Sequence, residues 1–118
     1  MTDKAMVLPR RLRKTWLTAL RSGNYRQATK TLYDTHTKGF CCLGVLQHCA
    51  MKGHVEAEAM PDADGTQYPA AIPSKKFYSD YKITTTTDFI DILVDMNDVH
   101  YAGFEEIADY IEANSKGR

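Results

Sequence analysis

The stretch that most constrains this chain is Phe40-Cys41-Cys42-Leu43-Gly44-Val45-Leu46-Gln47-His48-Cys49-Ala50, which holds all three cysteines and the densest apolar run. Cys42, Val45, Leu46, Cys49 and Ala50 recur at i, i+3, i+4, i+7 and i+8, the full stripe of an amphipathic helix. A stripe of that width must be covered by other elements, so it predicts a central core helix, stopped by Lys52-Gly53. Gly44 falls off the stripe, where a missing side chain lets another backbone approach closely. Cys41 also falls off it, at the helix start.

A chain of 118 residues fits one domain, with enough length to bury a core without disulfide staples. Its formal net charge of +0 argues against bulk electrostatic capture by nucleic acid or an anionic membrane. No apolar run approaches the ~20 residues of a membrane span, and no signal-peptide core follows the basic N-terminus. A cytoplasmic protein is therefore expected, with reduced thiols, and an odd number of cysteines agrees.

Pro9 suits a first helical position, and Leu12, Trp16, Leu17 and Leu20 follow on one face. Ser22-Gly23 ends that helix, with Gly23 free to take left-handed backbone. Asn24 is read as the cap of a short helix over residues 25–32 that gives way to an extended segment, although Thr29, Thr31, Leu32 and Tyr33 would also suit a strand. Asp34-Thr35-His36-Thr37-Lys38-Gly39 is turn chemistry, Gly39 supplying the permissive backbone, so a small hairpin or edge strands are expected over 31–40. Residues 54–82 read as irregular: 55–60 alternates and suits an edge strand, Pro61-Asp62-Ala63-Asp64-Gly65 is a plain turn, and Pro69 and Pro73 break regular elements. Phe77, Tyr78 and Tyr81 are predicted to pack this region onto the core.

Thr84 to Thr87 are β-branched and precede a helix with Phe89, Ile92, Leu93 and Met96 inward and Asp88, Asp91, Asp95 and Asp98 outward, ending at Asn97-Asp98. A last helix over 105–114 turns Ile107, Ala108 and Ile111 inward and carries Glu105 and Glu106 where the helix dipole favours them. Residues 1–8 and 115–118 are expected to be flexible.

Three segments together carry a resemblance: Trp16-Leu17-x-Ala19-Leu20-Arg21-Ser22-Gly23-x-Tyr25-x-Gln27, Phe40-Cys41-Cys42-Leu43-Gly44-Val45-Leu46, and Met96-Asn97-Asp98 with Phe104-Glu105-Glu106-Ile107-Ala108-Asp109-Tyr110-Ile111-Glu112. The chain resembles a family of small, uncharacterised proteins of tailed bacteriophages and prophages. It departs over 55–81, and at Gln47-His48, where similar proteins often continue Cys-Asp. The resemblance implies a phage origin and a location in the host cytoplasm, and it implies no activity.

The charge is unevenly spread. Lys4, Arg10, Arg11, Arg13, Lys14, Arg21, Arg26 and Lys30 face a lone Asp3 in the first part, whereas Asp88, Asp91, Asp95, Asp98, Glu105, Glu106, Asp109 and Glu112 run without a Lys or Arg. Such runs suit a basic face for phosphate or RNA, or an acidic face for a basic partner. They equally suit two oppositely charged layers lying side by side, or facing water.

Cys41 at a helix start is a candidate nucleophile, because the positive dipole end stabilises a thiolate. His36, His48 or His100 would be its base, with Asp98 or Asn97 orienting His100. Against this, free cysteines are among the most buried residue types. Cys41, Cys42, Cys49 and His54 are metal-ligand types, but one helix cannot aim Cys41 and Cys42 at a single ion, so no metal and no cofactor is expected.

The sequence thus predicts a compact, mainly helical α+β single domain of four to five helices, with a small β-hairpin or edge strands. Its core is expected around Trp16, Leu20, Val45, Leu46, Leu93, Ile107 and Ile111. From the phage origin that the resemblance implies, and not from any residue, the function expected first is non-catalytic: an accessory protein that binds and modulates a host component, in host takeover or anti-defence. Its candidate surfaces are the aspartates Asp88, Asp91, Asp95 and Asp98, for a host protein, and Arg10, Arg11, Lys14, Arg21, Tyr25 and Gln27, for a nucleotide or nucleic acid. The alternative is a small cysteine-dependent enzyme built on Cys41, His100 and Asp98.

Overall fold

Pro9 sets where the first helix begins. In the computed structural model, which describes residues 4–55 and 72–118, Met6–Leu8 form a strand, β1, and Pro9 caps α1, Arg10–Arg21. Proline brings no N–H that would be orphaned there. Trp16, Leu17 and Leu20 are buried on one face, and Gly23, at φ +77°, lets the chain turn away after Ser22 as predicted.

The expected helix over 25–32 does not form. Ala28 N donates to Phe40 O at 2.8 Å and Phe40 N donates to Arg26 O at 2.7 Å, a parallel bridge that holds this segment extended beside the hairpin. That hairpin is the predicted one, with β2 at Tyr33–Asp34 and β3 at Gly39–Phe40. Its left-handed residue is Lys38, at φ 59°, rather than Gly39. Gly39 is needed for space instead: a Cβ there would lie 3.0 Å from the Ala28 side chain.

The central helix α2, Cys42–Ala50, is capped by Cys41, whose Sγ accepts from Gly44 N at 3.3 Å. The close approach expected at Gly44 is present, since a Cβ built there would fall 1.9 Å from Leu32 O. Cys42 through Gln47 are all buried, whereas Cys49 and Ala50 at the far end are half-buried.

No helix is expected within 54–82, but Lys75–Asp80 form α3, because Ser74 Oγ accepts from Phe77 N at 3.2 Å and caps the turn. The strand expected over 55–60 and the Asp62–Asp64 turn lie outside the described residues. Phe77 is buried, and Tyr78 and Tyr81 pack beside it with ring centroids 5.6 Å and 5.1 Å away.

Thr84–Thr85 form β4, Thr87–Asp98 form α4, Phe104–Asn114 form α5 and Ser115–Gly117 form β5. The inward face of α4 is rotated from the predicted one: Phe89, Ile90, Leu93 and Asn97 are buried, while Ile92 is 40% exposed. Ile107, Ala108 and Ile111 of α5 are buried as predicted.

Residues 6–8 and 115–117, from the two ends expected to be flexible, are paired as strands. β1 is the middle strand of a three-stranded sheet, antiparallel to β4 and parallel to β5, with Met6 opposite both Thr85 and Ser115. Met6 and Leu8 are fully buried, and Arg118 N donates to Leu8 O at 3.0 Å. Three residues are too few for alternation to show in a sequence.

α1 lies between α2 and α5, and every core residue predicted, from Trp16 to Ile111, is at most 2% exposed. Burial of each such side chain stabilises the fold by roughly 1.5–3 kcal/mol. The molecule is a compact, mainly helical α+β domain. Among the described residues no helix is long and apolar enough to cross a membrane.

Candidate functional site

The chemistry expected at Cys41 meets a sealed environment. Its side chain is 5% exposed, and burial pushes the thiol up to about 11, with the negative Asp98 raising it further. The hydrogen bond from Gly44 N favours the thiolate but does not offset desolvation. At neutral pH Cys41 is therefore a protonated thiol that caps a helix. His100 is exposed beyond the end of α4, and His36 is exposed in the hairpin turn. His48 Nδ1 is hydrogen-bonded to Tyr25 Oη at 2.8 Å.

Asn97 explains why this end of α2 is closed. Its Oδ1 accepts from Gln27 Nε2 at 2.9 Å and from Cys42 N at 3.3 Å, and its Nδ2 donates to Ala28 O at 2.8 Å and Asp98 Oδ1 at 2.7 Å. Gln27 also donates to Ala102 O at 2.8 Å. Gln27 and Asp98, both predicted for binding, are thus drawn into an internal network. Trp16 Nε1 donates to Cys42 O at 2.9 Å, so the tryptophan is an anchor of the same helix start.

Cys42 is fully buried and its thiol is pushed well above its ordinary value, mainly by burial. Cys49 is the accessible one: it is half-buried and lines two grooves along α1, although burial raises its thiol too. Cys41, Cys42, Cys49 and His54 are not gathered, for among the described residues no three His, Cys, Asp or Glu side chains come together.

The cations of α1 divide by their partners. Arg21 reaches across to α5, where its Nη2 lies 2.8 Å from Asp109 and 2.6 Å from Glu112. Arg13 donates to Ser115 Oγ at 2.9 Å and Glu112 O at 3.0 Å. For these residues the two charged layers do lie side by side. Arg10, Arg11 and Lys14, nearer the start of the helix, line a cavity of about 500 Å³ with Pro9 and Arg118. Lys14 also shares a groove with Tyr25.

On α4, Asp88, Asp91 and Asp95 are exposed and, among the described residues, form no ion pair. Asp88, Ile92, Asp95 and Val99 recur at i, i+4, i+7 and i+11, so acidic and apolar side chains alternate along one outward stripe. Ile92 is 40%, Val99 61% and Tyr101 71% exposed. The apolar half of this surface was missed because Ile92 had been assigned to the core.

Fold and surface together define a small α+β domain with oppositely charged outer faces. Residues 8–72 match the family described as a domain of unknown function, DUF8296, and since this is more than half of the chain, the protein belongs to that family. No curated protein and no solved structure matches the chain.

Proposed function

We propose that the chain is a bacteriophage accessory protein that binds and modulates a host component without catalysing a reaction, and that the outer face of α4 is its docking surface. The observation that carries this is the stripe Asp88, Ile92, Asp95, Val99, flanked by Asp91. Exposed aspartates steer a basic partner, and exposed apolar side chains between them supply the area that holds it. A host protein presenting Lys or Arg around an apolar patch is the matching partner. The sealed Cys41 thiol supports a non-catalytic role. A reducing host cytoplasm fits three free cysteines.

The test is affinity capture from host lysate with cross-links mapped by mass spectrometry, using the native chain and Asp88→Lys/Asp91→Lys/Asp95→Lys. A partner cross-linked to α4 and lost in the triple variant, at unchanged melting temperature, is the expected result. A partner retained by the triple variant, or cross-linked only elsewhere, sinks the reading.

A further inference from the structure

We infer that the cationic basin beside α1, together with the apolar groove it opens into, binds a nucleoside phosphate. This goes beyond the α4 reading and uses a different surface. Arg10, Arg11, Lys14 and Arg118 are all exposed around one cavity of about 500 Å³. Arg10 and Lys14 stand one helical turn apart with Arg11 beside them, whereas Arg13 is bonded to Ser115 and Glu112, and Arg21 to Asp109 and Glu112.

Among the described residues none of the four basin cations has a carboxylate partner. Arg118 Nη1 donates to Val7 O at 3.1 Å, which ties its guanidinium to β1 while leaving further N–H groups to donate. Four cationic side chains border one space, and arginine forks match phosphate oxygens in pairs.

The basin shares Pro9 and Arg11 with a second cavity of about 350 Å³, lined also by Leu12, Cys49, Ala50 and Tyr81. The Tyr81 ring is half-buried and held against Phe77 at 5.1 Å, so a fixed aromatic side chain borders an apolar trough next to the cations. A nucleotide divides its surface in the same way, into a flat base that stacks and phosphates that take charged hydrogen bonds. Inorganic phosphate would use only the basin. Duplex nucleic acid needs a longer basic track than four side chains on a chain of net charge +0.

Isothermal titration at about 50 mM salt tests this with each ribonucleoside triphosphate, a ~12-nucleotide single-stranded thymidine oligomer, and inorganic triphosphate. At least one nucleotide is expected to bind roughly tenfold or more tightly than inorganic triphosphate, because only the nucleotide stacks. Arg11→Glu/Lys14→Glu, both at exposed positions, should remove binding at unchanged melting temperature. Tyr81→Leu should weaken the nucleotide roughly fivefold or more and leave inorganic triphosphate unaffected. Binding of the oligomer alone, lost in the same variants, supports the site and assigns the phosphates to a single strand. No binding of any nucleotide or oligomer, equal binding of inorganic triphosphate, or an unaffected charge-reversed variant overturns it. The triple aspartate variant of α4 should bind nucleotide normally, so the two surfaces succeed or fail separately.

Discussion

Every hydrogen-bonding atom of the Asn97 amide is used inside the protein, joining α4 to the start of α2 and to the segment around Ala28. Asn97→Ala removes partners from Cys42 N, Ala28 O and one bond of Gln27, and should cost about 2–4 kcal/mol in urea unfolding. Asn97→Asp should do no better, since it loses the donor to Ala28 O and places a charge beside Asp98. A loss below about 0.5 kcal/mol would show that the network is not structural. The thiols make a second prediction at this scale. Cys41 rises from its ordinary 9.0 to about 11, so the folded state holds that proton more tightly than the unfolded chain. Its contribution is complete below pH 9 and is lost as pH rises through 11, on the order of 2–3 kcal/mol. Cys42 and Cys49 shift in the same direction. The urea midpoint should therefore fall between pH 9 and 11, and Cys41→Ala should flatten part of that slope; a midpoint constant over this range contradicts the burial of the thiols.

Along α4, neighbouring isoleucine and leucine side chains have opposite fates. Leu93 is fully buried, so Leu93→Ala should cost about 2–5 kcal/mol, whereas the exposed Ile92 as Ile92→Ser should change stability by less than about 0.5 kcal/mol. Thermal or urea unfolding of the pair decides it, and a large loss at Ile92 would return that side chain to the core. The two ends of the helical scaffold were legible because α1 and α5 carry unbroken apolar stripes that fix which face turns inward. The face of α4 was misread because Asn97 counts as polar in any periodicity, yet its four hydrogen bonds take it inside and rotate Ile92 out. The segment over 25–32 was misread because its conformation is set by hydrogen bonds to Phe40, which no local pattern encodes. For the candidate surfaces, the charge runs were visible, but which cations are already engaged by α5 depends on helix packing. Arg118 reaches the basin, and Tyr81 the groove beside it, from distant parts of the chain.

At the scale of the molecule, the sheet draws on distant parts of the chain: β1 takes one neighbour from residues 84–85 and the other from residues 115–117. Removing Lys116–Arg118 would delete the bonds Arg118 N to Leu8 O and Arg10 N to Arg118 O, together with the remaining β5 ladder. At roughly 1 kcal/mol for each net hydrogen bond, the truncated chain should lose about 3 kcal/mol, read as a lower melting temperature. An unchanged melting temperature would mean that β5 is an ornament on a sheet that β1 and β4 hold alone. The segment 8–72 that carries the family match contains neither neighbour of β1, so this three-stranded sheet is completed from outside it. Met6 precedes its partner Ser115 by 115 − 6 = 109 residues. At ribosomal speeds of ~5–20 residues per second, the first strand waits about 5–20 s for its last neighbour to be synthesised. Throughout that interval one edge of β1 has no strand to pair with and stays open to the chaperones of the translating cell.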